Sequence, residues 1–279
     1  MTLPIVIGAT AGDPSYEIVD VTPGLAKEWL DHNTHNRNIR EQVVDGYAVD
    51  MAAGHWPENG QSIKFSVTGV LLDGQHRLAA IVKSGVTLRM LVIRNLPDET
   101  QMTMDTGAKR TFADVLRLNG ESYVVPLAAV CLRVYQWKQG MRKSLKGGTR
   151  PTHIQLLAIL EDHPELRRSV EVGKRVTVAG ALSAGTASLC HWLFNRINTS
   201  DCAFFYARLY DGAGLPQGDP IYALRRALDN LAKGAGRPDE AHVTALVIKA
   251  WNLYRAGSEI NVLGFKAGGA NPEQYPEPK

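Results

Sequence analysis

The sequence predicts an α+β fold, in which a small strand-containing region is followed by an all-α region. Strand patterns are confined to the first third of the chain, where apolar and polar residues alternate from Ile63 to Val67 and again from Val86 to Val92. From Gly120 to about residue 256, apolar residues recur at helical spacing instead. Residue pairs that contain glycine or proline, such as Gly147-Gly148 and His163-Pro164, divide this second region into separate helices.

The composition is that of a globular protein. The chain has 279 residues, of which 44% are hydrophobic and 21% charged, enough for one large or two modest domains. The net charge of +3 permits nucleic-acid binding without requiring it. Three cysteines without CxxC spacing favour a reducing compartment over a disulfide framework or a zinc site. No apolar run approaches membrane-spanning length, so we expect a cytoplasmic protein without a membrane partner.

The N-terminal region begins with a predicted strand and two predicted helices. Tyr16 to Val21 alternates as a short strand, and Thr22-Pro23 is a typical helix start. The polar segment 32–38, HNTHNRN, is either an asparagine-rich turn between helices or a donor-rich loop that reaches a ligand. A second helix is predicted over 39–53, closed by Gly54.

The stretch from Val70 to Gly85 carries the main candidate site. Three apolar residues predict a buried strand, followed by a polar turn, Asp73–Arg77, and a helix from Leu78 to Lys83. Unpaired N–H groups and the dipole at a helix N-terminus favour an anion there. Arg77 and a protonated His76 would add donors for phosphate. Asp73 suits a metal ion or a hydroxyl proton, which predicts a nucleotide-phosphate site with one carboxylate.

A second polar turn, 105–110, repeats this chemistry. It combines Asp105, a glycine and two cations just before Thr111, which is predicted to cap a helix with Asp114 three residues on. Two such turns in one small α+β region favour a shared anion and metal site.

The rest of the chain is predicted to be helical, with a basic segment and a tail. The predicted helices cover 122–138, 152–162, 164–176, 181–197, 201–211, 220–233 and 238–255. The basic segment contains no acid and is either a solvated loop or a DNA-backbone contact; its cations are Lys138, Arg142, Lys143, Lys146 and Arg150. Residues 257–279 contain four glycines and three prolines, which predicts a flexible tail.

Several common catalytic motifs are absent from the sequence. There is no GxxxxGK[ST] phosphate loop, no GxGxxG, no GxSxG and no HExxH. Cys190 and His191 are adjacent, but neighbours on a helix point in different directions and do not form a dyad. Any chemistry is therefore expected at the two turns that contain aspartate.

Residues 16–110 resemble the ParB/sulfiredoxin superfamily, specifically its DGQHR-type branch. The motifs that carry the resemblance are HNR at 35–37, LLDGQHRLAAI at 71–81 and MDTGAKR at 104–110. The resemblance implies that 1–111 is a nucleotide-binding domain built on a small mixed sheet with helices. The helical domain, 112–256, is similar to the C-terminal part of ParB-like proteins of phages and prophages.

Members of this superfamily use nucleotides in different ways. ParB proteins bind and hydrolyse CTP and clamp on DNA, whereas sulfiredoxin uses ATP to repair an oxidised cysteine. Sulfiredoxin needs a cysteine where this chain has Gln75, so its chemistry is excluded. The turn of free serine kinase, Asp-Gly-His-His-Arg, matches 73–77 at four of five positions. That likeness implies a catalytic role for Asp73.

Three functional hypotheses follow from the resemblance. The first is a ParB-like, nucleotide-dependent DNA-binding protein that could form a homodimer, binds CTP or ATP with Mg²⁺ and contacts DNA through Lys138–Arg150. The second is a phosphotransferase that uses Asp73 as general base, and the third is a non-catalytic phage regulator that binds DNA or protein. Asp73 and Asp105 would hold the metal. The implied nucleotide ligands are Asn36, Arg37, Gly74, Gln75, His76, Arg77, Thr106, Gly107, Lys109 and Arg110.

Overall fold

The structure is a computed structural model that describes residues 13–34, 36, 38–104, 110–142, 150–179, 181–234, 236 and 238–279. It divides into two compact units. The first comprises Met1–Lys109 and Gly147–Ile154, and the second comprises Arg110–Lys146 and Gln155–Lys279. The prediction of an α+β fold is confirmed, because a small mixed sheet is followed by many helices.

The first unit contains a four-stranded mixed sheet. Strand β1 (Ser15–Val21) pairs antiparallel with β4 (Leu88–Leu96), which pairs parallel with β2 (Ser62–Ser66). Strand β2 then forms an antiparallel hairpin with β3 (Leu71–Asp73). The hairpin carries Asp73 to the end of the edge strand β3, where the sheet gives way to a helix.

Three helices pack with this sheet: α1 (Pro23–Leu30), α2 (Glu41–Ala52) and α3 (Gln75–Ser84). Helix α3 contacts both α1 and α2, and a 3-10 helix follows β4 at Asp98–Thr103. The core of the unit is apolar and includes Val21, Trp29, Val44, Met51, Ile63, Phe65, Leu71, Leu78, Ile81, Met90 and Val92.

The described residues 150–154 also belong to this unit, which the sequence pattern does not indicate. Thr152 lies against α2 at Gly46, where the Cβ of a larger residue would come within 3.2 Å of the Thr152 methyl carbon. Burial raises the pKa of Asp50 on the same helix, and a hydrogen bond from Thr152 acts in the opposite direction. A small residue at position 46 is therefore what allows the segment to approach α2.

The second unit is helical in its described part. It contains α4 (Phe112–Leu118), α5 (Val124–Lys138), most of α6 (His153–Asp162), α7 (Leu166–Arg175), a 3-10 turn at Val176–Ala179, α8 (Ala184–Asn195), α9 (Thr199–Asp211), α10 (Pro220–Lys233) and α11 (Glu240–Arg255). Helix α8 is buried over almost its whole length and forms the centre of the core. No helix in the described ranges is long and apolar enough to span a membrane.

The segment after α11 differs from the predicted flexible tail. Leu263 and Phe265 are buried in the helical core. Lys249 on α11 donates to Gly264 O at 2.8 Å, and the Trp251 indole donates to Lys279 O at 2.9 Å. Two apolar anchors and these hydrogen bonds hold the segment on the helices although it contains neither helix nor strand.

Candidate functional site

The junction between β3 and α3 forms around Gly74. This glycine is the N-cap of α3 with φ of 108°, a left-handed conformation that L side chains rarely adopt. A Cβ there would lie 2.5 Å from Ile63 Cδ1 and 3.3 Å from Ile63 Cα. The close approach of β2 and the positive φ together require glycine, so the turn is fixed by backbone geometry.

The helix begins earlier than the sequence predicts. Leu78 N donates to Gly74 O at 3.0 Å, and α3 starts at Gln75 instead of Leu78. The prediction of a five-residue turn is therefore wrong: Gln75, His76 and Arg77 form the first helical turn. The left-handed glycine lets the chain pass from β3 into α3 through a single residue, so no longer loop is needed.

Two cations meet the carboxylate of Asp73. Lys64 Nζ on β2 lies 3.4 Å from Asp73 Oδ2, and Arg77 Nη2 lies 3.1 Å from the same oxygen. Arg77 also donates to Ser62 O at 2.7 Å and to Gln61 Oε1 at 3.1 Å. The side chain of Arg77 is only 13% exposed, so this cluster is screened less than a surface ion pair.

A chain of amides connects the predicted turn residues to the rest of the unit. Asn33 Nδ2 donates to Gln75 Oε1 at 3.0 Å, and Asn36 Nδ2 donates to Asn33 Oδ1 and to Leu71 O, each at 2.6 Å. Gln101 Nε2 donates to Asn36 Oδ1 at 2.9 Å. Gln75 is buried, so these hydrogen bonds hold Asn33 and Asn36 against α3 and β3.

His76 also has a partner inside the fold. Its Nε2 accepts a hydrogen bond from Arg40 N at 3.1 Å, just before α2 begins. A ring nitrogen that accepts this bond cannot at the same time donate to a phosphate. The expected contribution of a protonated His76 to phosphate binding would require that this bond be broken.

The second predicted turn falls mostly outside the described residues. The predicted site residues that lie outside the described part of the chain are Arg37, Asp105, Thr106, Gly107 and Lys109. Arg110 is exposed and belongs to the second unit, next to the N-cap of α4. The predicted cap is confirmed: Thr111 and Asp114 form a capping box, and the hydrogen bonds from Thr111 lower the pKa of Asp114.

Two of the described cations of the basic segment, Lys138 and Arg142, have partners within the protein. Arg142 donates to Glu277 Oε1 at 2.8 Å, and its guanidinium lies 3.7 Å from the centre of the Trp137 ring. Lys138 Nζ lies 3.3 Å from His163 Nε2. Arg150 is exposed and falls in the first unit, whereas Lys143 and Lys146 lie outside the described residues. A DNA contact through Arg142 would compete with its ion pair.

Sequence reasoning missed the residues that contact the turn from elsewhere in the chain. These are Asn33, Arg40, Gln61, Lys64 and Gln101. Lys64 carries a detectable signal, because it alternates with the buried Ile63 and Phe65 on β2.

The metal-binding capacity of the described residues is small. They contain no group of three or more His, Cys, Asp or Glu side chains that could hold a metal ion. Asp73 is a single carboxylate, so it suits Mg²⁺ that takes most of its other ligands from phosphate oxygens and water.

The comparisons with known proteins return no match. A scan against protein-family models, a search of curated proteins and a search of solved structures each find nothing similar to this chain.

Proposed function

We propose that the first unit binds a nucleoside triphosphate, CTP or ATP, with Mg²⁺ at the Asp73–Arg77 segment, and that the protein is a nucleotide-dependent DNA-binding protein. The proposal rests on the resemblance of DGQHR at 73–77 to ParB-like proteins and on the chemistry of the β3–α3 junction.

One observation carries the proposal: two cations converge on one carboxylate at the N-terminus of α3. Lys64 and Arg77 lie within 3.4 Å of Asp73, at the first turn of α3, where the helix dipole favours an anion. The two cations and the one carboxylate leave a net charge of +1 at the cluster, which favours an anion. A phosphate with Mg²⁺ can replace the contacts between the carboxylate and the two cations. The carboxylate would then coordinate the metal, and the two cations would pair with phosphate oxygens.

The roles of the individual residues follow from this exchange. Asp73 would hold Mg²⁺, which neutralises charge on the phosphates when bound, and Asp105 is the second proposed metal ligand. Arg77 and Lys64 would contact phosphate oxygens, as fork-shaped and single-point donors respectively. Gln75 and Asn36 would act by holding the surrounding turn in place, because their amides already bond within the fold.

A thermal-shift panel of nucleoside triphosphates with Mg²⁺, with and without duplex DNA, tests the proposal. A ligand at 100 times its dissociation constant stabilises the folded state by about 2.7 kcal/mol, which gives a measurable rise in melting temperature. We expect Arg77→Ala to abolish the shift. Lys83→Gln is the matched control, because Lys83 is an exposed cation on the same helix that pairs with Asp45. An unchanged shift in folded Arg77→Ala would remove the site assignment.

DNA supplies the second arm of the same experiment. We expect DNA to increase the nucleotide-dependent rise in melting temperature. A shift that is identical with and without DNA would favour the phosphotransferase hypothesis.

A further inference from the structure

The second unit contains a cavity of about 720 Å³ that the proposed function does not use. This volume lies in the range of pockets that bind small organic ligands. Helix α7 and the following turn form one wall, and α8 and α9 form the others. Its lining includes Ser169, Arg175, His191, Trp192, Ala207 and Tyr210.

The cavity exists because small side chains line it where larger ones would fill it. Ala203 and Ala207 lie one turn apart on α9, and Ser169 lies on α7. Both alanines are exposed, so the space between the helices opens to solvent. Aromatic side chains also line it, including Trp192 and the half-exposed Tyr210. A flat ring therefore finds apolar surface here without any rearrangement of the core.

His191 presents a hydrogen-bond acceptor to this cavity. Its Nδ1 lies 3.0 Å from Ser169 Oγ, and Ser169 Oγ donates to Glu165 O at 3.3 Å. A hydroxyl has only one proton, so Ser169 accepts from Nδ1–H and the ring carries its free lone pair on Nε2. Nε2 has no hydrogen-bond partner among the residues that the structure describes. Burial lowers the pKa of His191 to about 4, which keeps the ring neutral at pH 7.

The carboxylates of the cavity wall are engaged by other groups. Glu165 Oε1 accepts from the Trp192 indole at 2.8 Å and lies 3.9 Å from Arg196 Nη1. Asp211 Oδ1 lies 3.4 Å from Arg208 Nη1 and accepts from Ala213 N at 2.9 Å. These acids therefore leave little negative charge for a ligand cation.

The cations of the wall differ from one another in their partners. Arg168 and Arg175 lie seven residues apart, on one face of α7. Arg168 Nη1 pairs with Glu171 at 3.0 Å. Arg175 has no ion pair within the described ranges, so its charge is available at the cavity.

We propose that this cavity binds a planar aromatic anion that carries an N–H or O–H donor. The rings pack against Trp192 and Tyr210, the donor reaches His191 Nε2, and the carboxylate, sulfonate or phosphate group pairs with Arg175. The inference is independent of the nucleotide site, because all of these residues belong to the second unit.

Two fluorescent probes that differ by one charge test this proposal on the full chain. 8-Anilinonaphthalene-1-sulfonate has the rings, the N–H and the anion, and N-phenyl-1-naphthylamine has the same rings and N–H without the sulfonate. We expect the sulfonate to bind at one equivalent. Ala207→Trp should weaken both probes at least tenfold, because the new ring fills the cavity. Arg175→Gln should weaken only the sulfonate, by roughly three- to tenfold.

The control variants separate this site from non-specific dye binding. Arg226→Gln removes an exposed arginine beside Tyr222 on α10, outside the cavity, and should change neither affinity. Ala203→Leu is a smaller filling variant that is made in parallel, and circular dichroism melts establish that each variant is folded. Unsaturable binding, an unchanged affinity in both filling variants, or an equal effect of Arg175→Gln on the two probes would overturn the proposal.

Discussion

Gly74 offers the sharpest perturbation of the β3–α3 junction. In Gly74→Ala the new methyl group would lie 2.5 Å from Ile63 Cδ1 and 3.3 Å from Ile63 Cα, and the alanine would have to adopt φ of 108°. Ile63 is fully buried, so its side chain cannot move aside without disturbing the core. Both backbone strain and steric overlap therefore oppose the substitution.

The magnitude follows from adding these two costs. A non-glycine residue in a sparsely populated backbone region costs about 1–3 kcal/mol, and overpacking a core costs about 1–3 kcal/mol. Gly74→Ala should therefore lower the free energy of unfolding by about 2–6 kcal/mol. Gly85 is the matched control: it caps the other end of α3 with φ of 72°, and nothing lies within 4 Å of its Cβ position. Gly85→Ala should cost only about 1–2 kcal/mol.

Urea denaturation followed by circular dichroism measures both variants. Adding Ile63→Val to Gly74→Ala removes Cδ1 and should recover part of the loss, although Ile63→Val alone costs about 0.5–1.5 kcal/mol. A cost of Gly74→Ala no greater than that of Gly85→Ala, or simple additivity of the substitutions at 63 and 74, would refute this explanation of the junction.

Three further predictions concern other contacts. Asn36→Ala removes three hydrogen bonds and should lower the free energy of unfolding by about 1–3 kcal/mol in urea titrations. Asn38→Ala, at an exposed position, should leave the free energy of unfolding unchanged. Burial lowers the pKa of His191 to about 4, so as the pH falls the unfolded chain binds a proton at this histidine before the folded protein does. The free energy of unfolding should therefore fall by about 3 kcal/mol between pH 6.5 and 4. Thermal melts of His191→Gln should show a flatter pH dependence. Phe265→Ala should destabilise the second unit by about 2–4 kcal/mol in calorimetry, whereas Val262→Ala, 82% exposed, should change it by less than about 0.5 kcal/mol.

The features that the sequence predicts well are those that depend on neighbouring residues. Thr22 caps α1 and accepts from Leu25 N, as expected from Thr-Pro at 22–23. The capping box of Thr111 and Asp114 is likewise local. The hairpin of β2 and β3 joins the alternating segment 63–67 to the apolar run 70–72 through Thr68-Gly69, and these three segments are neighbours in the sequence. These patterns place Asp73 at the end of a strand without any knowledge of tertiary contacts.

The features that the sequence does not predict depend on residues far apart in the chain. Asn33 meets Gln75 across 42 positions, and Gln101 meets Asn36 across 65. The sequence pattern places the first turn of α3 in a loop, whereas in the structure the left-handed Gly74 lies against Ile63 of β2 and the helix begins at Gln75. In the sequence, polar residues next to a glycine therefore look like ligand-binding residues, although several of them make hydrogen bonds within the fold.

The segment after α11 shows the same limit in apolar residues. Its glycines and prolines are typical of a tail. The segment is nevertheless held on the helices by hydrogen bonds and by two side chains that are buried in the helical core, Leu263 and Phe265. Their isolation in sequence conceals that role, because no periodic pattern surrounds them.

Isothermal titration of CTP and ATP with and without Mg²⁺, into the wild-type protein and Asp73→Asn, tests the nucleotide site most directly. We predict that the wild type binds one of these nucleotides and that Mg²⁺ tightens the binding. We also predict that Asp73→Asn, which keeps Lys64 and Arg77, binds the nucleotide with little dependence on Mg²⁺. No binding of either nucleotide, or the same Mg²⁺ dependence in both proteins, would contradict the proposed site.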